Sequence, residues 1–320
     1  MKKVMLFTLI VCTFIGILIG CGKKTPTDSE GVSYWHKVES PTTQCLSSVY
    51  FASQNDGWAV GAGGTILHYN GSSWEMIESP TTGVFIRVQF LSPNDGWAAA
   101  EEEDSCIILH YDGDEWNIHS KFKLGGHPTD MFFLSPTNGW VTAWAFDKSS
   151  LKQECAIYHW DGTSWHDVSP FYANLYSVFF VDENDGWVSG RIGGMMPNYH
   201  FAHYDGTKWD SILSPMDLTH SSLYFLSADD GWCVGLGTAH YDGSEWKVVE
   251  CPFFGRLLSV FFLSANDGWA VGKKILHYDG SEWSVDESPE AVLYSVYFIS
   301  EDEGWAVGED GIILHYIRDE

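Results

Sequence analysis

Residues 266–283 read Asn-Asp-Gly-Trp-Ala-Val-Gly-Lys-Lys-Ile-Leu-His-Tyr-Asp-Gly-Ser-Glu-Trp, and close variants of this stretch recur along the chain. Its first Trp returns as Trp58, Trp97, Trp140, Trp187, Trp232, Trp269 and Trp305. A His-aromatic pair follows each time, at His68, His110, His159, His203, His240, His277 and His315. Six units continue through Asp-Gly or Asn-Gly to a second Trp, at Trp74, Trp116, Trp165, Trp209, Trp246 and Trp283. A period of roughly 40 residues marks a repeat in which each unit is one supersecondary element stacked on its neighbours.

Each unit divides into four short strands. Strand A is a Ser-Val-Tyr-Phe-like run such as Ser48 to Phe51, strand B is Gly-Trp-Ala-Val-Gly, strand C is Ile-Leu-His-Tyr, and strand D runs from the second Trp toward Ser-Pro. Aromatic and β-branched residues suit strands, and the Asp-Gly pairs between them suit tight hairpins. The seventh unit stops after strand C at Tyr316, while Trp35-His36-Lys37-Val38-Glu39-Ser40-Pro41 is an orphan copy of strand D. Joining the two closes a ring and leaves no open sheet edge. The expected fold is therefore all-β: a seven-bladed β-propeller over residues 34–320, four antiparallel strands per blade, locked when the N-terminal strand completes the last blade.

Spacing separates scaffold from site. Strand-A Phe to first Trp is seven residues in every unit (Phe51 to Trp58, for example), and His to second Trp is six in all complete units. First Trp to His varies, at 10, 13, 19, 16, 8, 8 and 10 residues. In an up-and-down blade the A–B and C–D turns share one face, and the B–C and D–A connections share the other. One face is thus constant, and the other carries long B–C loops in blades 2 to 4. Recognition usually sits on variable loops held by a rigid frame.

The N-terminus has Lys2 and Lys3, an apolar run from Val4 to Ile19, and then Gly20-Cys21. This looks like the lipobox of bacterial lipoproteins. The resemblance implies a signal peptide over residues 1–20, lipidation of Cys21, and a polar tether over residues 21–33. The implied location is the cell envelope outside the cytoplasm, at the outer membrane if there are two, with the lipid as sole membrane contact. The formal charge of the whole chain is −26, and loss of Lys2 and Lys3 takes it to −28. Four arginines occur in all: Arg87, Arg191, Arg256 and Arg318. Such a surface repels nucleic acid, which is excluded as a partner. After Cys12 and Cys21, five cysteines remain with no CxxC spacing, and no disulfide is assigned.

Fourteen tryptophans belong to the repeat and are expected to fill the wedges between blades. The repeat histidines lie on strand C, too far from the axis to converge on one ion. They are expected to bond locally, to the Asp-Gly hairpin beside them. The hairpin aspartates Asp112, Asp161, Asp205, Asp242 and Asp279 read as turn formers that cap their own backbone. No metal or cofactor is expected, and no nucleophile, zinc or phosphate-loop motif appears. The residues outside the pattern gather on the variable face: Trp144, Phe146 and Lys148 in blade 3, Arg191, Met195, Met196 and Tyr199 in blade 4, and Phe122 and His127 at the blade 2–3 connection. Aromatics, methionines and scarce cations on one rim suit recognition of a protein or glycan.

The run Asn55-Asp56-Gly57-Trp58-Ala59-Val60-Gly61, continuing to Gly64-Thr65-Ile66-Leu67, resembles the repeat of photosystem II stability/assembly-factor-like proteins. The hairpin His110-Tyr111-Asp112-Gly113-Asp114-Glu115-Trp116 is similar to the Asp-box (BNR) turn of sialidase-type propellers, with His where Ser or Thr is usual. The first resemblance implies a module that binds proteins rather than an enzyme, and a monomer is expected. The second keeps a lectin-like or glycoside-hydrolase reading as the alternative, although four scattered arginines offer no arginine triad.

Overall fold

A computed structural model describes residues 34–123, 126–147, 152–170, 173–192, 199–215, 222–287 and 289–318. They form seven four-stranded antiparallel sheets, each a meander from an inner strand A to an outer strand D. Blade 1 is representative, with Leu46–Ser53, Asp56–Gly61, Ile66–Tyr69 and Trp74–Ile77 in that order. The seventh sheet takes its outer strand, Trp35–Val38, from the opposite end of the chain, with Trp35 opposite Tyr316 and Val38 opposite Ile313. Trp35 Nε1 also donates to Asp286 Oδ2 of blade 6 at 3.0 Å. The ring closes as its sequence requires.

Burial explains why the pattern repeats. Each apolar cluster joins two adjacent blades: Trp58, Val60 and Ile66 of blade 1, for example, pack with Phe85, Val88, Phe90 and Trp116 of blade 2. The first Trp of each blade stacks on the strand-A Phe of the next, as in Trp58–Phe90 (5.3 Å, 24°), Trp187–Phe225 (5.2 Å, 23°) and, across the closure, Trp305–Phe51 (5.3 Å, 22°). The second Trp meets that stack edge-on, as in Trp58–Trp116 at 76°, an arrangement that ring quadrupoles favour. The glycine before each first Trp makes room for the Phe. A Cβ on Gly186 would lie 2.2 Å from the Phe180 ring, and one on Gly57 would lie 2.4 Å from Phe51.

Two expectations are corrected here. The strand-C histidines do not bond to the neighbouring C–D hairpin, but to the acid of Asn-Asp-Gly-Trp on strand B. Asp56 Oδ1 accepts from Trp58 Nε1 and pairs with His68 Nε2, both at 2.9 Å, and Asp95, Asp185 and Asp267 repeat the arrangement. Strand pairing sets the His opposite that Trp (Trp58 with His68), so the acid two residues back reaches both rings. Secondly, the length added between strands B and C of blade 2 is not irregular loop. Strands Asp95–Glu102 and Ser105–Tyr111 stay paired to Glu102–Ser105 across a two-residue turn. In blade 3, Asn138–Asp147 and Lys152–Trp160 stay paired to Asp147–Lys152. Four residues more than the blade-1 strand B, at about 3.4 Å each, raise a wall above the variable face.

The hairpin aspartates cap their turns as expected. Asp205 Oδ1 accepts from the backbone N–H of Thr207 and Lys208, both at 2.9 Å, and Asp279 does the same for Ser281 and Glu282. Cys45, Cys106 and Cys251 are free thiols. Among the described residues no helix is long and apolar enough to cross a membrane.

Candidate functional site: the variable face and the axial channel

The wall on blades 2 and 3 carries Trp144, His127 and the backbone of Phe146, all singled out by sequence. Trp144 on strand B of blade 3 pairs in register with His127 on strand A, and their rings stack at 5.4 Å and 18°. The exposed His127 turns Nδ1 to Glu101 Oε1 of blade 2. Lys121 on the outer strand of blade 2 holds Glu102 at 2.9 Å, and Thr81 also donates to that carboxylate. These two hydrogen bonds hold the Glu102 carboxyl below the usual carboxylate range. The result is a ridge of alternating charge capped by an indole-imidazole stack.

Other candidates separate. Phe122 is half-buried and stacked on Trp165 (5.3 Å, 23°) beside Tyr158, so it fills the seam between blades 2 and 3 rather than offering a free surface. Phe146, Arg191 and Tyr199 have backbone partners in Gln153, Asn174 and Ile192, respectively. Lys148, Met195, Met196 and Cys21 lie outside the described residues.

Sequence reasoning missed Phe254, which is 100% exposed in the connection from blade 5 to blade 6 on this same face. Leu236, in the B–C connection of blade 5, is also exposed. A signal was present: the connection that reads Ser-Pro-Thr-Thr at residues 40–43 and 79–82 reads Cys-Pro-Phe-Phe at 251–254. Loop length drew attention away, because the B–C intervals of blades 5 and 6 are the shortest.

The axis was also missed. Tyr50, Tyr297, Phe261, Tyr224, Phe179 and Phe132 form a chain of touching rings around the channel, with successive centroids 4.8, 4.9, 5.1, 5.5 and 4.9 Å apart. Blade 2 interrupts the ring with Gln89, whose amide pairs with both backbone groups of Phe133 at 2.9 and 2.8 Å. The rings line a cavity of about 210 Å³, and burial pushes the Tyr224 hydroxyl up to about 12. Nearer the variable face, serines knit the inner strands together: Val88 N–H donates to Ser48 Oγ, Leu223 N–H to Ser177 Oγ and Val49 N–H to Ser295 Oγ, each at 3.2 Å. Blades 2 and 3 replace this serine with Arg87 and Asp130, an ion pair at 3.6 Å. Asp130 also accepts from Ser177 Oγ (2.9 Å) and Val178 N–H (3.0 Å). Arg87 is therefore a half-exposed cation on the axis of an acidic molecule. Among the described residues no group of three metal-ligating side chains converges.

No protein-family model and no curated protein matches the chain. Solved structures do. YCF48 bound to a D1 peptide has a TM-score of 0.70 at 19% identity, over 90% of this chain and 96% of that one. YCF48 from Cyanidioschyzon merolae has a TM-score of 0.67 at 20% identity, over 88% and 98%. The extracellular domain of a hybrid two-component system from B. thetaiotaomicron has a TM-score of 0.65 at 12% identity, over 90% of this chain and 41% of that one. At these identities the likeness establishes a shared seven-bladed propeller fold.

Proposed function

We propose that this chain is an extracytoplasmic propeller, lipid-anchored through Cys21, that binds a protein segment on its variable face. The observation that carries the reading is the placement of Phe254, Leu236 and the His127–Trp144 stack on one face, while the opposite face consists of short turns of constant length. Exposed aromatic anchors around a rigid centre are the usual energetic focus of an interface. A peptide-bound propeller among the similar structures, and extracellular propeller domains beside it, support a protein ligand and an exported location. A photoreactive amino acid replacing Trp144 or Phe254 in native membranes should yield one common adduct. The same probe at Thr163 or Ser281, on C–D turns of the other face, should yield none. Adducts from those turns alone would overturn the assignment. Anchoring has its own test, since Cys21→Ser should abolish palmitate labelling.

A further inference from the structure

The seven grooves between adjacent blades are equivalent by repeat, so each is a control for the others. On the face of the A–B and C–D turns, the groove between blades 6 and 7 measures about 310 Å³ and gathers Asp267, Asp279 and Glu301 around Arg318. The corresponding groove between blades 3 and 4 measures about 560 Å³, within the range of roughly 300–1,000 Å³ that small-molecule sites occupy. Its chemistry also departs from the repeat. Where blades 1, 2, 4, 5, 6 and 7 place Asp56, Asp95, Asp185, Asp230, Asp267 and Glu303, blade 3 has Asn138. His159 Nε2 therefore faces an amide oxygen, at 2.7 Å, instead of a carboxylate. Burial lowers the His159 pKa.

The aromatic wall differs as well. The strand-D tryptophans of five blades are buried: Trp35 6%, Trp74 5%, Trp116 4%, Trp246 5% and Trp283 3% exposed. Trp165 and Trp209 are only half-buried, and Trp209 lines this groove beside Tyr204. Glu183 and Lys208 stand exposed at the rim, and Asp210 already neutralises the lysine at 2.7 Å. An uncharged floor, a partly open indole edge and a few convergent donors and acceptors match the needs of a polyhydroxylated ring. They suit an ion poorly.

We propose that the groove between blades 3 and 4 is a binding site for a neutral saccharide, distinct from the partner surface on the opposite face. The full chain is applied to an array of neutral and acidic glycans. Retention of neutral hexose- or N-acetylhexosamine-terminated glycans is expected. Glu183→Ala with Lys208→Ala should weaken it at least tenfold without moving the melting temperature, whereas Glu301→Ala in the sister groove should leave it unchanged. No retained glycan, or equal retention by the double variant, overturns the proposal. Crosslinked adducts through Trp144 and Phe254 should survive the double variant, so the two sites fail separately.

Discussion

One carboxylate oxygen serves two rings in blades 1, 2, 4 and 6, and blade 3 shows what changes without it. With Asn138 in place, His159 keeps a hydrogen bond but loses the charge that would stabilise its imidazolium. Asn138→Asp should raise the His159 pKa, read by NMR of the ring protons, and bring Trp140 Nε1 into the same bond. A His159 titration unmoved by the substitution would contradict this electrostatic account. The tryptophans and histidines were legible in sequence because they recur. Their partner was not, because His68 and Asp56 meet only through strand pairing, and the hairpin acid is nearer in the chain. Arg87, Asp130 and Gln89 were similarly hidden, since nothing in a lone sequence says that three departures from the repeat share the axis.

The hairpins divide into turns that sequence specifies and walls that it does not. Six glycines at the C–D turns, Gly71, Gly113, Gly162, Gly206, Gly243 and Gly280, have φ between +85° and +98°, where an L side chain is strained. The preceding Asp or Asn caps each turn, so residue identity alone revealed it. Those caps have a pH signature. Hydrogen bonds to Thr207 and Lys208 hold Asp205 at about 2, and those to Ser281 and Glu282 hold Asp279 at about 2, against an ordinary 3.8. Because the folded pKa is depressed, the contribution to stability is complete above the ordinary value and is lost as pH falls through about 2. Carboxyl NMR titration should give midpoints near 2 for both residues, and midpoints near 3.8 would remove the capping argument. The B–C extensions were legible as added length only. Whether such residues loop or stay paired depends on register, which cross-strand partners set, and the choice of strand turned a supposed loop rim into a paired ridge.

At the scale of the whole molecule, the fold follows from arithmetic on the ends of the chain. Seven first-tryptophan motifs, six complete second hairpins and one orphan strand leave a closed ring as the arrangement with every sheet four strands wide. The same sevenfold redundancy makes the functional regions stand out as departures: a wall on blades 2 and 3, an exposed Phe254, an axial Arg87 and an enlarged groove beside Asn138. Composition argued against nucleic acid but named no ligand, because a surface of formal charge −26 constrains what is repelled more than what is bound.

The closure is the claim on which blade count and face assignment both depend. Internal deletion of residues 34–41 removes the Trp35–Val38 strand, its pairing to Ile313–Ile317 and a buried indole, a loss whose Trp component alone is worth about 3–5 kcal/mol. Thermal unfolding of the full chain followed by circular dichroism should change from one cooperative transition to a broad or lower one, with aggregation through the freed edge of blade 7. A deletion variant that melts as sharply and at the same temperature as the parent would contradict the closed ring.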